Sequence, residues 1–408
     1  MKLLVLTYRL PWHTYTADRY TMLHFVKHFS QQHAITLVAF AESAEEARQA
    51  DVLQPYCERV VPVILPRRRA YANVVRGLAS STPLSVWLYR SGKMRETVRQ
   101  IVAQGGIDLA YVYHLRMGQY LADVRSIPRC IALQPVQVLN LQRYKDHTRH
   151  PLWKLGYTVE HRRMRHYELA LARQYDRCLL ISERDRRTLD PYGTLDNVFF
   201  NPHGLDPDYF TPDPAARKEP HALIFHGSMR YQANVDAIVS FVEAVYPLVK
   251  RRVPDVKLYV VGYQPPPAVQ ALARDPSIVV TGFVEDTRPH LNRAAVAIDP
   301  LRIGAGLQNK VLESMSMALP VVATPIANEG IGAVPGEHIL VAEGHADFAG
   351  QVVLLLEDEA LRWRLGAAAR AFVSSRWSWE AHYRPLEDLF HSLVAQSQTP
   401  WVAGASAR

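Results

Sequence analysis

A lysine and a glutamate lie three residues apart, directly after a glycine-containing turn, and most of the chemistry in this chain concentrates there. The turn reads Gly304-Ala305-Gly306-Leu307-Gln308, and Lys310 and Glu313 follow in the first turns of a predicted helix. A helix N-terminus presents free N–H groups and the positive end of its dipole, which favours a phosphate. The lysine and the glutamate therefore predict an anionic ligand that also carries hydroxyl groups. The alternative is an ion pair on a solvated helix face.

The segments around this turn predict a strand, a helix and a second strand. Ala295–Pro300 is an apolar run before the turn, and Val321–Thr324 is another after the helix. Val311, Leu312 and Met315 recur at helical spacing between them. This order is typical of parallel α/β sheets, which bind ligands at the carboxyl ends of their strands.

Two further loops are predicted to end strands on the same sheet edge. They are His226-Gly227-Ser228-Met229-Arg230 and Gly282-Phe283-Val284. We predict that Phe283 and Val284 flank a nucleotide base and that Glu313 accepts hydrogen bonds from ribose hydroxyls. The predicted cations for a diphosphate are Arg230, Arg302 and Lys310. The full predicted donor set is Gly227, Ser228, Gly282, Phe283, Val284, Arg302, Gly304, Ala305, Gly306, Leu307, Gln308 and Glu313.

The chemistry that this arrangement predicts is departure of a nucleoside diphosphate. Negative charge then builds on a phosphate oxygen, where fixed cations and helix N–H groups stabilise it. The sequence carries no Asp-x-Asp pair at a predicted strand end, so we expect a site without a metal. No other cofactor is expected.

Length and charge indicate two domains, the first of them basic. A chain of 408 residues predicts two domains of roughly 200 residues each. Residues 1–150 hold 20 Lys and Arg against 10 Asp and Glu, whereas the whole chain has a net charge of +8. We expect an acidic partner for this half, either an anionic membrane surface or a phosphate-bearing acceptor. No nucleic-acid motif is present, and a solvated basic face is the alternative.

The cysteines and the lengths of the apolar runs indicate where the protein is expected to be located. Cys57, Cys130 and Cys178 are scattered and lack metal-ligand spacing, so we expect reduced cytosolic thiols. We also expect no membrane span and no signal peptide.

The first half begins with the pattern of a doubly wound sheet. Lys2–Thr7 and His33–Phe40 are predicted strands, and Arg19–Phe29 between them is a predicted amphipathic helix. His114 directly follows another predicted strand, Asp108–Tyr113. Because ligands bind at that end of such a sheet, His114 is a candidate ligand-facing residue, with a structural role as the alternative.

A long helix is predicted over Leu152–Gln174. The spacing of its apolar residues predicts that one side is buried, and its basic side is predicted to lie on a membrane or to bind an acceptor. A solvated face is again the alternative. The apolar positions are Leu155, Val159, Met164, Leu169 and Leu171.

The proline-rich segment 201–220 marks a domain boundary. We predict an α/β fold with a Rossmann-like acceptor-binding domain at residues 1–205 and a Rossmann-like donor domain at residues 206–382. The two domains are expected to face a cleft, and a C-terminal helix at about 383–397 is expected to pack on the first domain. In the second half, Asn234–Arg252 is predicted to form one helix.

The second half resembles the donor site of glycosyltransferase family 4, which has the GT-B fold. The resemblance lies in Gly306-x-x-x-Lys310-x-x-Glu313, the Met- and Ala-rich helix after it and Pro320-Val-Val-Ala-Thr324. Together with the loop at 226–231 and residues 281–284, these residues are similar to sugar transferases of exopolysaccharide and exosortase gene clusters.

The resemblance implies a retaining, metal-independent transfer. A sugar would move from a nucleotide-diphosphate sugar, of UDP or GDP type, to the hydroxyl of a glycan or a lipid-linked acceptor. Catalysis would rest on Lys310 and Arg230 at the diphosphate and on His114 near the reacting sugar. Location in the cytoplasm, with peripheral contact to the inner membrane face, is also implied.

Three positions depart from the family pattern. Ala305 stands where the family usually has its first glutamate, and Ser228 and Asn234 stand where it usually has Arg and Lys. We expect Arg230 or Arg302 to supply the missing charge. These departures leave two alternatives open, a sugar-nucleotide 2-epimerase of the same fold and a catalytically silent nucleotide-binding partner in a polysaccharide complex.

Overall fold

The computed structural model divides the chain into two units, each built on one parallel sheet. It describes residues 1–12, 17–134, 136–148, 150–303 and 307–398. The first unit comprises Met1–Pro202 and the chain from Tyr383 onward, and the second comprises His203–His382. The predicted boundary at 205/206 thus lies close to the division after Pro202.

The first unit contains a seven-stranded sheet in the order β3-β2-β1-β4-β5-β6-β7. All its strand pairs are parallel, with Leu3 opposite Ile35 on one side and Leu109 on the other. Leu3, Leu4, Val5 and Leu6 of the central strand are completely buried, as expected for a strand covered on both faces. The strands are β1 Lys2–Thr7, β2 Ala34–Ala41, β3 Arg59–Ile64, β4 Leu109–Tyr113, β5 Arg129–Ala132, β6 Arg177–Leu180 and β7 Val198–Phe200.

Nine α-helices of the described residues fall wholly within the first unit. Two of these helices begin directly after Ser91 and Ser182. In each, the serine side chain caps the helix by accepting a hydrogen bond from the backbone N–H of the residue three positions later. They are α1 Ala17–Phe29, α2 Ala44–Arg48, α3 Arg67–Gly77, α4 Leu84–Leu88, α5 Gly92–Ala103, α6 Leu115–Gly118, α7 Gln137–His147, α8 Pro151–Gln174 and α9 Glu183–Leu189. A 3-10 turn covers Gln49–Leu53.

The second unit contains a six-stranded parallel sheet in the order β10-β9-β8-β11-β12-β13. Its strands are β8 Ala222–His226, β9 Lys257–Val261, β10 Ile278–Gly282, β11 Val296–Asp299, β12 Val321–Ala323 and β13 Leu340–Val341. Its helices are α10 Gln232–Ala244, α11 Tyr246–Arg252, α12 Pro267–Gln270, α13 Arg288–Arg293, α14 Asn309–Ser316, α15 Pro325–Glu329, α16 His345–Glu357 and α17 Glu359–Arg376, with a 3-10 turn at Ala271–Arg274. The doubly wound α/β fold predicted from the sequence is confirmed.

The last helix, α18, runs from Trp379 to Gln398. Its segment from Tyr383 onward belongs to the first unit, where Leu386 and Phe390 are completely buried. The Phe390 ring lies 5.4 Å from that of Phe29 on α1. No helix among the described residues is both long enough and apolar enough to cross a bilayer.

Two predicted helices differ from the structure. The expected single helix Asn234–Arg252 is two helices, because Pro247 cannot donate the backbone hydrogen bond that would continue the first. In α8 the expected buried side forms only in the C-terminal part. Met164 and Leu171 are buried, but Leu155 and Val159 are exposed although α7 packs beside α8.

A pair of glycines brings the ends of β8 and β9 together. Gly227 has φ 140°, which side chains other than hydrogen disfavour. A Cβ atom on Gly262 would lie 1.8 Å from the Gly227 carbonyl oxygen, so only glycine fits there. The Gly227 N–H also donates to the Val261 carbonyl at 2.9 Å. This close packing fixes the loop that begins at Gly227.

Candidate functional site

The three predicted loops of the second unit follow the carboxyl ends of β8, β10 and β11, at one edge of the sheet. Parallel α/β sheets place ligands at this edge, because loops and helix N-termini converge there. Helix α14 begins at Asn309, so Lys310 and Glu313 lie in its first turns, as the sequence predicts. The predicted roles of Gly304, Ala305 and Gly306 fall outside the described residues.

The Lys310 ammonium is the centre of a polar network at this edge. Its Nζ atom lies 3.2 Å from Oδ2 of Asp299 and donates to Asn234 Oδ1 at 3.1 Å and Gln308 Oε1 at 3.0 Å. The side chains of Lys310 and Asp299 are only 10% and 2% exposed. Burial raises the pKa of the Asp299 carboxyl although the ammonium lowers it, so desolvation is the stronger effect. The lysine is thus held in one place by three oxygen atoms.

Asp299 and Asn234 are site residues that the sequence did not predict. Asp299 is the last residue of strand β11. An acidic residue at the carboxyl end of a buried strand could have indicated a site residue, because ligands bind at that end of the sheet. Asn234 was noted only as a departure from the family pattern. The Lys310 ammonium lies beside it, and the expectation that Arg230 or Arg302 supplies the missing charge stays a prediction.

Glu313 lies against a neutral histidine. Nε2 of His226 is 3.0 Å from the Lys310 carbonyl oxygen and 3.1 Å from Ser314 Oγ, and Nδ1 is 3.5 Å from Glu313 Oε2. Burial lowers the pKa of His226 to about 4, and the Lys310 charge adds to this effect. The imidazole is therefore neutral at pH 7, and its contact with α14 fixes the first turn of that helix relative to β8.

The Glu313 carboxyl changes its charge near neutral pH. Burial raises its pKa to about 7, and the nearby Lys310 charge lowers it without reversing the effect. Its side chain is still 24% exposed, so a ligand can reach it. At pH 7 such a carboxyl group is about half ionised. A ligand that donates hydrogen bonds to it stabilises the ionised form.

The two predicted arginines lie on the surface. Arg302 forms a bidentate pair with Asp236 of α10, donating from Nε at 3.0 Å and from the η2 nitrogen at 2.7 Å. Arg230 is exposed in the loop after β8. Neither is brought into the Lys310 network, so their predicted contacts with a diphosphate remain predictions.

The predicted base-flanking loop presents an aromatic surface. Gly282 has φ 71° and its carbonyl accepts the Gly262 N–H at 3.1 Å, which joins this loop to the end of β9. Phe283 is exposed and contacts the Tyr263 ring edge-on at 5.9 Å between centroids, whereas Val284 packs against the core. An exposed aromatic ring in this loop can stack on the face of a base.

Three remaining donor residues lie beside this network. Ser228 accepts the side-chain amide of Asn234 on its backbone carbonyl at 2.9 Å. Leu307 packs against the core of the second unit. Gln308 immediately precedes α14, and its side-chain oxygen accepts a hydrogen bond from Lys310. Their predicted contacts with a donor are not tested by these interactions.

His114 of the first unit is a strained and buried residue. It has φ 77°, a region that non-glycine residues adopt at a cost of about 1–3 kcal/mol. Burial lowers the pKa of the imidazole well below its usual value, with further lowering by Arg116 and Arg9. Its ring packs on Tyr8 at 4.7 Å, at the carboxyl ends of β1 and β4. Such strain favours a functional role, and the predicted role beside a sugar stays a prediction.

A cavity of about 350 Å³ lies at the same sheet edge of the first unit. It combines ionised and aromatic side chains, which suits a polar ligand with apolar faces. Its lining includes Tyr8, Arg9, Phe40, Glu42, Glu46, Arg67, Tyr71 and Tyr89.

One cluster among the described residues has the geometry of metal ligands. His33, Glu387 and His391 place their ligand atoms within 4.8 Å of one another, and all three lie in the first unit. Nε2 of His33 is already 2.8 Å from Glu387 Oε1. The cluster is separate from the donor loops of the second unit.

Comparison with protein families identifies the class of the second unit. Residues 220–358 match the family described as "Glycosyl transferases group 1". This segment is therefore similar to group 1 glycosyltransferase domains, and the resemblance predicted from the sequence is confirmed.

Named relatives agree with this class. A GDP-mannose-dependent alpha-(1-6)-phosphatidylinositol monomannoside mannosyltransferase of Mycobacterium tuberculosis is 30% identical over 226 residues, covering 50% of this chain and 58% of that protein. The capsular polysaccharide biosynthesis glycosyltransferase CapM of Staphylococcus aureus is 25% identical over 130 residues, or 31% of this chain and 34% of that protein. The chain thus spans between about a third and three fifths of the length of such relatives.

Solved structures confirm the GT-B fold over most of the chain. Sucrose-phosphate synthase from Thermosynechococcus elongatus superposes with a TM-score of 0.71 at 14% identity, covering 97% of this chain and 99% of that one. Anabaena HepE in complex with UDP gives a TM-score of 0.64 at 12% identity, covering 96% and 100%.

The buried Lys310–Asp299 pair predicts a specific pattern of stability. Lys310→Met leaves a buried carboxylate without its cation and should lower the free energy of unfolding by about 3 kcal/mol or more. Lys310→Met combined with Asp299→Asn should recover much of this loss, because no buried charge is left unpaired. Thermal and urea unfolding of the four proteins measure the coupling between the two residues.

Lys250 provides the matched control for this cycle. It pairs with Asp275 at 2.9 Å on the outer part of the same unit, where both side chains are about one-third exposed. Lys250→Met should cost no more than about 1 kcal/mol. Equal losses for Lys310→Met and Lys250→Met would contradict a buried, structurally required pair.

Proposed function

We propose that this protein is a glycosyltransferase that moves a sugar from a nucleotide-diphosphate sugar to an acceptor hydroxyl, in the assembly of a polysaccharide or glycolipid. The observation that carries the proposal is that Lys310 and Glu313 both lie in the first turns of α14, inside the segment that matches group 1 glycosyltransferases. Relatives named for capsular polysaccharide and mannosyl transfer support the substrate class.

In the proposed donor site, each side chain contacts a different part of the nucleotide sugar. Lys310, fixed by Asp299, Asn234 and Gln308, lies near the leaving diphosphate and stabilises the charge that builds there. Glu313 accepts hydrogen bonds from the ribose hydroxyls, and Phe283 with Tyr263 covers the base. Arg230 and Arg302 are proposed as outer cations, since the Arg302 guanidinium can exchange Asp236 for a phosphate.

The proposed reaction proceeds with retention at the anomeric carbon and without a metal. The leaving phosphate accepts the proton of the acceptor hydroxyl on the same face of the sugar, so no protein nucleophile is required. The protein contributes positioning and electrostatic stabilisation. The nucleotide sugar, of UDP or GDP type, is the co-substrate, and no other cofactor is proposed. His114 is proposed to contact the transferred sugar.

The proposed location is the cytoplasm, at the inner face of a membrane. The basic first 150 residues favour an anionic surface there, and the acceptor is a glycan or a lipid-linked sugar. Nucleic acid is not a proposed partner.

Transfer is tested by measuring nucleotide release from a panel of UDP-, GDP- and dTDP-sugars, with and without lipid-linked sugar acceptors. We expect release that depends on the acceptor, a product with the anomeric configuration of the donor, and no loss of rate with a chelator. Inversion at C2 without an acceptor would instead identify an epimerase. Binding of a nucleotide sugar without turnover would identify a silent partner.

The pKa of Glu313 predicts how donor affinity depends on pH. Because the ionised carboxylate accepts both ribose hydrogen bonds, affinity should rise by about tenfold between pH 6 and 8 as the group ionises with a pKa of about 7. A nucleotide sugar is used as ligand, since its diphosphate diester does not titrate in this range. Calorimetric titration across the pH range measures the effect.

Glu313→Gln and Glu357→Gln separate this effect from general pH dependence. The first should bind the donor more weakly and with a flat pH profile, because an amide cannot ionise. Glu357 is half-exposed on α16 and pairs with Arg252, so Glu357→Gln should keep the wild-type profile. A wild-type profile in Glu313→Gln would remove Glu313 from the site.

A further inference from the structure

The first turns of α8 are rich in apolar side chains that remain exposed although α7 packs beside this helix. From Pro151 to Val159, every residue except Tyr157 is exposed. Leu152, Trp153 and Leu155 are 73%, 64% and 63% exposed, which is far more than a helix that packs on a core shows. Single exposed apolar residues are common on soluble proteins, but a contiguous group indicates a surface for interaction.

Aromatic side chains from α7 extend this group. Tyr144 is exposed and stacks on Tyr157 with 5.7 Å between ring centroids. Trp153 lies 6.5 Å from the same Tyr157 ring. Tyrosine and tryptophan have an apolar body and a polar end, which suits the boundary between lipid and water.

The same surface continues onto the end of α3. Arg163 of α8 donates to the Leu78 carbonyl at 2.8 Å, and Glu160 accepts the Leu84 N–H at 2.9 Å. Leu155 and Val159 precede Arg163 at four-residue spacing, so they lie on the same stripe of the helix. We call this region the α3–α8 surface. Its exposed apolar residues are Tyr71, Val75, Leu78, Tyr144, Leu152, Trp153, Leu155 and Val159.

Positive charge surrounds these apolar side chains. Helix α3 carries Arg67, Arg68, Arg69 and Arg76, all exposed, and no acidic residue. The exposed lysine and arginines of α8 are Lys154, Arg162, Arg165 and, in its last turn, Arg173. A second copy of this chain is a poor occupant, because a symmetric contact would bring the two sets of arginines together.

We propose that the α3–α8 surface docks on an anionic lipid bilayer. Its leucines and Trp153 would enter the boundary between head groups and acyl chains, while the arginines pair with lipid phosphates. Apolar burial and charge attraction together give the binding of helices that lie in a membrane interface. This specifies the membrane contact of the proposed function by naming the residues that make it.

Docking also has a consequence for the acceptor, which rests on the proposed function. Arg67, Ala70 and Tyr71 of α3 form part of the wall of the cavity at the sheet edge. When α3 lies on the membrane, this cavity opens beside the lipid head groups. A lipid-linked sugar is therefore favoured over a free glycan as the acceptor.

Co-sedimentation of the full chain with vesicles tests the docking surface without donor or acceptor. We expect binding to phosphatidylcholine mixed with phosphatidylglycerol, weakened by salt, and little binding to phosphatidylcholine alone. Arg68→Gln/Arg69→Gln/Arg76→Gln should weaken partitioning by about a hundredfold. Leu152→Ser/Trp153→Ser/Leu155→Ser should weaken it by at least about tenfold.

Trp363→Ser is the matched control, because Trp363 is 78% exposed on α17 of the second unit and should not affect binding. Both triple variants should bind the nucleotide sugar with wild-type affinity in calorimetry. This measurement separates a loss of donor binding from a loss of membrane docking. Unchanged vesicle binding in both triple variants would overturn the proposal. A wild-type protein that is a dimer in gel filtration, and that Leu152→Ser/Trp153→Ser/Leu155→Ser converts to a monomer, would also overturn it.

Discussion

The site depends on one buried ion pair, between the Lys310 ammonium and the Asp299 carboxylate. Asp299 ends the central strand of the second sheet, and Lys310 lies in the first turn of the following helix. Their 3.2 Å contact joins strand to helix across residues 304–306. Desolvation of both charges is costly, so the pair is a poor way to gain stability alone. It fixes a cation at the sheet edge, which is the property that a departing diphosphate requires.

The neighbouring groups keep this arrangement in place. Gly227 and Gly262 allow β8 and β9 to end in contact, which aligns the loop that carries Ser228 with Asn234. His226 stays neutral because it is buried, so it can bridge β8 to α14 without adding a second positive charge beside Lys310. Glu313 is left as the accessible acid of the site, with a pKa near neutrality. Each of these effects follows from burial at the end of a parallel sheet.

Apolar periodicity and turn residues were sufficient to predict the fold. Unbroken runs such as Leu3–Leu6 indicated buried parallel strands, and the glycine turn with Lys310 and Glu313 predicted the site edge. Asp299 as the partner of Lys310 was not predicted, because pairing depends on how β11 and α14 are placed in three dimensions. The exposure of Leu155 and Val159 was likewise missed, since periodicity shows that one face is apolar but not whether another element covers it. The break between α10 and α11 could have been predicted from Pro247.

The central claim is that α14 binds the nucleotide of a sugar donor through Glu313 and Lys310. A crystal structure of the protein with the nucleoside diphosphate released most rapidly from its donor tests this most directly. The account predicts both ribose hydroxyls within hydrogen-bond distance of the Glu313 carboxylate, the base against Phe283, and the diphosphate at the N-terminus of α14 beside Lys310. A nucleotide bound elsewhere, or one whose ribose makes no contact with Glu313, would contradict it.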